Sequence, residues 1–440
     1  MKGNLFNNHR AFYAILLGQL ISTVGSGMTR FGLGIWVFIE TGDASAYTIL
    51  LFFAVLPLGL GSLFAGPFVD RLNRKRVMVV GNAVASLSTL IIAVLFFADA
   101  MALWHLYIAL FVNGVANAFI LPAFESSVPL LVPKEQLERA SGLTQLVQAF
   151  ETILAPALAG LLVGLIGLGA IFLVDFVTFG ASIVALLLSA VPQPQGKKKQ
   201  NSLWGEFLFG VRYVRERPAF LYLMSFVTLA MFFLAGIGYA LVTPLVLTFA
   251  TEEAAGFVVS GFGVGSFIGG ILLAVWGGPK RRMNGMLAAL AIAGGATMLV
   301  GLRENTVLMA FAFVIVGSAF VFMIGLNRVI WQVKAAPDIL GRIFSLRVAL
   351  GVGAQSLGIL IAGPIAEVLF EPVMATDGSL ALSVGQLIGV GDGRGMALMF
   401  ILVGISLIII SVVSALNPSV RLLEDHVPDY VEPQLDLDPA

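Results

Sequence analysis

Cysteine is absent from this chain of 440 residues, and histidine and charged residues are scarce. Without cysteine there is no disulfide bond, no thiolate metal site and no cysteine nucleophile. The three histidines, His9, His105 and His426, are too scattered along the chain to predict a metal cluster. Gly196-Lys197 lacks the spacing of a phosphate-binding loop, so no nucleotide site is predicted. We therefore expect neither an enzyme nor a bound metal or organic cofactor.

Charge is scarce because the chain is apolar over long stretches. Only 11% of its residues are charged, against about 25% in an ordinary soluble domain. The net charge of zero gives no indication of nucleic-acid binding. Hydrophobic residues make up 59% of the chain and come in runs long enough to cross a hydrocarbon layer about 30 Å thick. Because backbone groups in lipid must be hydrogen-bonded within the segment, we predict an all-α polytopic protein of the lipid bilayer.

Charged or turn-forming breaks divide the chain into twelve runs of membrane length. The first six cover about 11–38, 48–69, 77–97, 103–132, 141–168 and 170–191. The second six cover about 219–247, 254–276, 283–302, 306–333, 342–370 and 394–416. A shift of 203 residues maps Gly66 onto Gly269 and Arg139 onto Arg342, and it equals the distance between the two blocks. Such repeats are typical of secondary transporters, which bind substrate between the two halves.

This repeat divides the chain into four parts. Two pseudo-symmetric bundles of six transmembrane helices are predicted over residues 1–191 and 219–416. A linker over 192–218 contains a pattern typical of an amphipathic helix on the membrane surface. The tail over 417–440 is rich in proline and acidic residues, and we expect it to be disordered.

Lysine and arginine are concentrated in alternate loops. The loop after span two and the middle linker are strongly basic, whereas the opposite loops contain little beyond Arg303 and Arg394. An excess of these residues marks the cytoplasmic side of a membrane protein. We therefore predict a multi-pass plasma (inner) membrane protein with both termini in the cytoplasm.

A motif follows span two. It reads Gly66-Pro-Phe-Val-Asp70-Arg71-Leu-Asn73-Arg74-Lys75. A small residue such as Gly66 lets helices approach closely, Asp70 suits the positive end of a neighbouring helix, and the basic residues suit anionic headgroups. The motif resembles the cytoplasmic signature of the major facilitator superfamily, with Asn73 in place of the usual second glycine. The resemblance implies the major facilitator fold and a latch that closes the cytoplasmic side against span eleven.

Further stretches narrow the resemblance. Ala155-Pro156-Ala-Leu-Ala-Gly160 in span five is similar to the antiporter motif of drug exporters, with alanine where a glycine usually precedes the proline. Residues 132–142 and 340–344 resemble macrolide-efflux carriers. This resemblance implies a secondary active transporter, functional as a monomer, that exports apolar or amphipathic small molecules by alternating access, with protons as the coupling ion. The alternatives are an uptake symporter for a nutrient or siderophore-like compound, and a non-transporting sensor or scaffold on a carrier fold.

Ionisable residues inside a membrane are costly and often functional. Thr144, Gln148 and Glu151 share one face of span five, and Glu151 lies near mid-membrane, about 18 Å along the helix from Arg139. We predict that Glu151 exchanges a proton or binds a cationic substrate; the alternative is a structural hydrogen bond. Arg30 in span one lies about 12 Å higher on the same scale, so no pairing with Glu151 is assumed. Arg30 either binds an anionic group or closes the outer gate, or it forms a structural pair.

The remaining candidates lie in both halves. The 203-residue shift maps Glu125 onto Arg328, and we hypothesise a salt bridge between them in the outward-open state alone; the alternative is pairing within each half. Asp175 and Glu367 lie close to predicted helix ends and are interpreted as structural. In spans seven and eleven, side chains suited to an adaptable apolar pocket, or to ordinary packing, are Met231, Phe232, Phe233, Tyr239 and Gln355.

Overall fold

The computed structural model describes residues 2–191, 210–426 and 429. At residues 2–9, 62–64, 66–67, 70–71, 337–338, 341–342 and 426 it describes the backbone but not the side chain. The regular elements of this described part are helices, and it contains no strand. Twelve of the described helices are long and apolar enough to cross a membrane, which confirms the predicted all-α polytopic fold.

We label these helices α1 to α12. Those of the first half are Lys2–Thr41, Ala44–Arg71, Arg74–Phe97, Leu103–Leu131, Leu137–Ile166 and Leu168–Leu188. In the second half, α7 to α10 are Pro218–Leu247, Glu252–Trp276, Arg282–Leu302 and Thr306–Lys334. Helix α11 runs through Pro337–Ile365, Ala366–Phe370 and Glu371–Met374, and α12 is Arg394–Leu416.

Polar side chains at the helix starts explain how short links connect such long helices. Asp43, Asn73 and Asn305 each accept a hydrogen bond from first-turn backbone amides of α2, α3 and α10, groups that have no partner within the helix. Only Gly42 and Asp43 separate α1 from α2, and Gly42 has a φ of 65°, which glycine adopts readily. Neighbouring spans are therefore antiparallel.

Two helices contain π-helical segments, which are rare and occur frequently at functional sites. They cover Met231–Gly238 in α7 and Ala366–Phe370 in α11. In α7 the segment lies where the helix crosses α11, with Gly236 and Gly358 in close contact. Both segments therefore adjoin contacts made by α11, the helix that packs against the first half.

Packing follows the same pattern in both halves. Helix α1 contacts α5 and α6 in the first half, and α7 contacts α11 and α12 in the second. The α2–α4 and α3–α4 contacts of the first half correspond to α8–α10 and α9–α10 in the second. The main contacts between the halves are α5 with α8 and α2 with α11.

Glycine residues mediate several of the described contacts between the halves. We call the side that holds the start of α1 and the end of α12 the terminus side, and the other the distal side. Gly160 packs against Glu252 and Gly256, and Gly363 packs against Ser45, all toward the distal side. By contrast, Gly142 of α5 and Gly270 of α8, toward the terminus side, have open space around them.

The expected disorder of the tail does not hold for its first ten residues. Residues Pro418–Arg421 and Leu423–His426 form two short helices. The carboxylate of Glu424 accepts a hydrogen bond from the amide of Met283 at 3.0 Å and pairs with Arg282, at the start of α9. An acidic side chain at a positive helix N-terminus is favourable, and composition does not reveal this contact. The rest of the tail, except Asp429, lies outside the described residues.

The predicted amphipathic linker helix falls largely on residues 192–209, which lie outside the described part. Residues 210–215 are helical, with Val214 buried against the second half. The proposed division of the chain at residues 192–218 stays a prediction.

Candidate functional site

A polar cavity of about 350 Å³ lies between α1, α2, α4 and α5. On α5 its lining residues fall between 144 and 152, on the terminus side of the crossing of α5 with α8. Gly263 of α8 packs against Thr152 of α5, so the contact between the halves reaches the level of this cavity. The polar side chains that line it are Gln19, Thr23, Ser26, Arg30, Asn113, Asn117, Thr144, Gln148, Glu151 and Thr152.

Arg30 and Glu151 form an ion pair in this cavity. Nη2 of Arg30 lies 3.3 Å from Oε1 of Glu151. The sequence-based estimate that Arg30 lies about 12 Å higher than Glu151 was wrong. It counted residues along each helix and neglected the tilt of the helices and the length of the arginine side chain. Gly27 packs against Ala155 and Glu151, so α1 and α5 approach closely at this level. The two side chains are 38% and 25% exposed, which leaves the pair accessible from the cavity.

The predicted polar face of α5 does line the cavity. Thr144 is buried, and its hydroxyl donates to the backbone oxygen of Ala140 at 3.0 Å, within its own helix. The side-chain amide of Gln148 has no hydrogen-bond partner among the described residues and is half-buried. Gln148 is therefore free to bind a ligand beside Glu151, whereas Thr144 already has a partner.

Asp175 is a second intramembrane acid that the sequence reasoning placed wrongly. It is the eighth residue of α6, not an end residue, and it is fully buried. Its carboxylate accepts hydrogen bonds from the hydroxyls of Thr29 at 2.7 Å, Ser26 at 3.3 Å and Thr89 at 3.3 Å. These donors belong to α1 and α3, so their contact with α6 depends on the tertiary structure. The sequence indicates the buried position of Asp175 only through the occurrence of an acidic residue within an apolar run.

A second cavity of about 280 Å³ lies within the second half. Tyr239 and Gln355 line it, together with the aromatic side chains of Phe262, Phe313, Phe320 and Phe400. The Tyr239–Leu247 stretch of α7 contacts α1, the helix that carries Arg30.

Three candidates from span seven do not line the aromatic cavity. Met231, Phe232 and Phe233 all belong to the π-helical segment of α7 and are half-buried. The rings of Phe232 and Phe233 pack edge to face with centroids 5.0 Å apart. Of the five predicted pocket residues, the structure thus brings Tyr239 and Gln355 to one cavity.

The basic residues of the signature motif contact their own half. Nη1 of Arg74 donates to the backbone oxygen of Ser126 at 2.6 Å, and Nζ of Lys75 donates to those of Leu187 and Ser189. These bonds join the start of α3 to the ends of α4 and α6, where cations complement free carbonyl groups. A contact of these residues with anionic headgroups stays a prediction. The side chains of Gly66, Asp70 and Arg71 lie outside the described residues, so the predicted latch stays a prediction.

The antiporter-like motif lies at the contact between the halves. Pro156 and Gly160 are buried, and Gly256 of α8 packs against both. The hydroxyl of Ser260 donates to the backbone oxygen of Ile153 at 2.7 Å across the same interface. The motif therefore builds the crossing of α5 and α8 next to the Arg30–Glu151 pair.

Glu125 and Arg328 are exposed near the terminus-side ends of α4 and α10. The charge of Arg328 acts on Glu125, yet the two described side chains are not joined by an ion pair within 4.0 Å. Their hypothesised salt bridge belongs to another conformation and stays a prediction.

A crevice of about 610 Å³ lies on the outer surface between α3 and α4. Exposed apolar side chains such as Val80, Val84 and Phe111 line it. It lies on the outer surface and its lining is mainly apolar, so we place the candidate site at the polar cavity. Among the described residues no group of three histidine or acidic side chains is placed to hold a metal ion.

Comparisons with known proteins agree with this arrangement. The sequence profile of the Major Facilitator Superfamily matches residues 15–362. Macrolide efflux protein A of Streptococcus pyogenes is 27% identical over 371 residues, which cover 82% of this chain and 91% of that protein. The multidrug efflux pump Tap of Mycolicibacterium fortuitum is 24% identical over 371 residues, covering 80% of this chain and 88% of that protein.

Solved structures show the same fold. A crystal structure of the nucleoside transporter NupG matches with a TM-score of 0.72 at 13% identity, covering 92% of this chain and 99% of that one. A bacterial homologue of the human lysosomal transporter Spinster, in an inward-facing and unoccupied conformation, matches with a TM-score of 0.66 at 15% identity, covering 92% and 95%. Because the profile covers most of the chain and the twelve helices agree with it, this chain belongs to the Major Facilitator Superfamily and is a multi-pass membrane transporter of small molecules, not an enzyme.

Proposed function

We propose that this transporter exports apolar or amphipathic small molecules, of the macrolide or multidrug type, in exchange for protons by alternating access. The observation that carries the proposal is the Arg30–Glu151 ion pair in the polar cavity. The names of the efflux relatives support the direction of transport, and the antiporter-like motif at Pro156 and Gly160 supports exchange.

The basic loops support a cytoplasmic location for the terminus side, in a plasma membrane. In that orientation the polar cavity receives substrate from the cytoplasm, and the distal contacts between the halves close it to the exterior. The structure then corresponds to the loading state of an exporter, and transport requires the α5–α8 and α2–α11 contacts to rearrange.

Glu151 is the proposed exchange site for protons. When it is ionised, it neutralises Arg30; when it takes up a proton, that attraction is lost. Because the pair is partly exposed, the loss costs less than in a buried pair, and another partner for Arg30 would offset it in that state. Asp175 is near enough for the charge of Arg30 to act on it, and a substrate acceptor group is the other possibility. Proton binding thereby changes the contacts of α1, α5 and α6 together.

The neighbouring aromatic cavity supports the substrate class. Phenylalanine and tyrosine rings bind apolar bodies of varied shape, while Gln148, Gln355 and the ion pair offer polar contacts at the edge. A substrate with one polar end and a large apolar body suits both cavities at once.

The test is substrate-dependent proton release from acid-loaded inside-out vesicles, with macrolides and lipophilic dyes as probes. The wild-type protein and Glu138→Gln should release protons on substrate addition, whereas Glu151→Gln should reduce release at least about tenfold. Glu138 is the matched control because it is an exposed acid on the same helix, outside the polar cavity.

Other outcomes separate the alternatives. Protons and substrate that cross the vesicle membrane together in the same direction would indicate a symporter. Labelled substrate that crosses with no proton movement would remove Glu151 as the coupling residue. No transport of any probe by the folded protein would favour a sensor or scaffold.

A further inference from the structure

The two halves meet on the distal side where the first turn of α2 contacts the π-helical segment of α11. The hydroxyl of Ser45 donates a hydrogen bond to Oε2 of Glu367, and the amide of Ser45 donates to Oε1 at 3.2 Å. The same amide donates to Oδ1 of Asp43 at 2.6 Å. Gly363 packs against Ser45 and Thr48 with no room for a side chain. One carboxyl group from each half is therefore held at a close-packed interface.

A proton is needed to keep these two groups together. Oδ1 of Asp43 and Oε1 of Glu367 both accept a hydrogen bond from the amide of Ser45, so the two carboxyl groups lie close together, and a proton on one of them allows it to donate to the other. Burial raises the pKa of Asp43, but hydrogen bonds from Glu367 and from the amides of Ala46 and Ser45 outweigh burial and hold that pKa below its ordinary value. Because the amides of Ser45 and Ala46 both donate to Asp43 and favour its ionised form, we assign the shared proton to Glu367. Without it, two carboxylates would repel each other across the interface.

The surroundings add no compensating cation. Within the described part of the chain neither Asp43 nor Glu367 forms an ion pair with lysine or arginine. Arg394, at the start of α12, already pairs with Glu304 and donates to the backbone oxygen of Ile388. The other titratable groups near the pair are Glu371 of α11, Asp392 before α12, Tyr107 of α4 and Tyr47 of α2, of which Tyr47 is bonded to Thr243.

We propose that Asp43 and Glu367 form a proton-dependent distal lock, in which one shared proton holds the two halves together on the distal side. When the halves separate, both carboxyl groups return to water, where their ordinary pKa values are about 3.9 and 4.3. The closed state therefore binds one proton more than the open state at neutral pH. Acid on the distal side favours closure, and the closed state is lost as that pH rises.

This inference rests on the proposed function for its physiological meaning. In a proton-coupled exporter the distal side faces the exterior, so an external proton would drive closure after the substrate has left. The lock is distinct from Glu151, which lies in the polar cavity of the first half and contacts Arg30. Conformation and transport can therefore be tested separately.

The experiment measures distances between spin labels in the full-length protein in lipid nanodiscs. The native chain has no cysteine, so Ala100→Cys and Leu302→Cys label one exposed distal position in each half without other changes. In the wild-type background the ratio of distal-closed to distal-open protein should fall as pH rises, by up to about tenfold per pH unit for one linked proton.

Two conservative variants test the pair. Glu367→Gln keeps a hydrogen-bond donor that cannot titrate, so it should keep the distal side closed and lose most of the pH response. Asp43→Asn should also lose the pH response, and its asparagine side chain can still cap the N-terminus of α2. Asp392→Asn is the matched control. Asp392 is an exposed acid that lines the same distal cavity as Glu367, and this variant should show the wild-type pH response.

The proposal is overturned if Glu367→Gln and Asp43→Asn both retain the wild-type pH response. It is also overturned if Glu151→Gln abolishes the response in the labelled protein while Glu367→Gln does not. A pH response that survives in Glu151→Gln and is lost in Glu367→Gln supports the distal lock, whatever the vesicle assay shows about transport.

Discussion

Asp175 is buried in the first bundle, where three hydroxyl groups from two other helices donate hydrogen bonds to its carboxylate. Such a group is stable in a membrane only because its acceptor capacity is filled. On the same helix Ser182 is equally buried, but its hydroxyl has no hydrogen-bond partner within the described structure. The two residues therefore provide a direct contrast between a bonded and an unbonded buried polar group.

We predict that Asp175→Ala lowers the free energy of unfolding by about 2–4 kcal/mol, because three buried donors lose their acceptor. Asp175→Asn retains one acceptor oxygen and should lose less. Ser182→Ala is the control and should cost little, since no bond is removed. Thermal unfolding in detergent should rank the midpoints in that order, and equal midpoints for Asp175→Ala and Ser182→Ala would contradict the structural account.

Helices α5 and α8 show what glycine contributes at the scale of the element. Gly256 of α8 packs against the backbone of Pro156 and Gly160 in α5, where a methyl group would overlap the carbonyl oxygen of Pro156. Backbones that approach so closely gain dispersion contacts and exclude lipid, which drives helix association in membranes. Gly270 lies on the same helix with open space around it.

Gly256→Ala should destabilise the closed distal side by about 1–3 kcal/mol through overpacking at the crossing. The labelled pair on the distal side should accordingly show an open population that rises about five- to 150-fold. Gly270→Ala makes the same change in an uncrowded place and should leave the distance distribution as in the wild type. A closed distribution for both variants would show that this crossing does not limit opening.

Across the whole molecule, the acidic pair on the distal side has a counterpart at the terminus side. Glu125 and Arg328 occupy equivalent positions of the two halves and are separated in this structure. Opposite charges at equivalent helix ends attract when those ends approach, so the pair is expected to stabilise the state in which the terminus side is closed. A contact made in one state alone is what shifts the population between states.

Glu125→Gln and Arg328→Gln should each shift the population toward the terminus-open state by about two- to fivefold, as expected for a partly exposed pair. The charge-reversed double variant, Glu125→Arg with Arg328→Glu, should restore the wild-type population. Distances between spin labels across the terminus side measure the conformational population of the single variants and of the double variant. If the single variants leave the distribution unchanged, each residue acts within its own half.

The number, length and position of the spans were predictable from the sequence, because the need to bury apolar side chains in lipid and to satisfy every backbone hydrogen bond acts locally. The 394–416 span was predicted with the observed ends, and the shared face of Thr144, Gln148 and Glu151 follows from helical periodicity alone. These features depend on residues close together in the chain.

The contacts between distant helices required the tertiary structure. Arg30 lies 121 residues from Glu151, Asp175 lies 146 residues from Thr29, and Ser45 lies 322 residues from Glu367. Composition indicates that each of these polar groups is expensive in a membrane, but not which partner offsets that cost. Helix tilt, glycine-mediated crossings and the relative height of the spans decide the partner, and they arise only when the bundles pack.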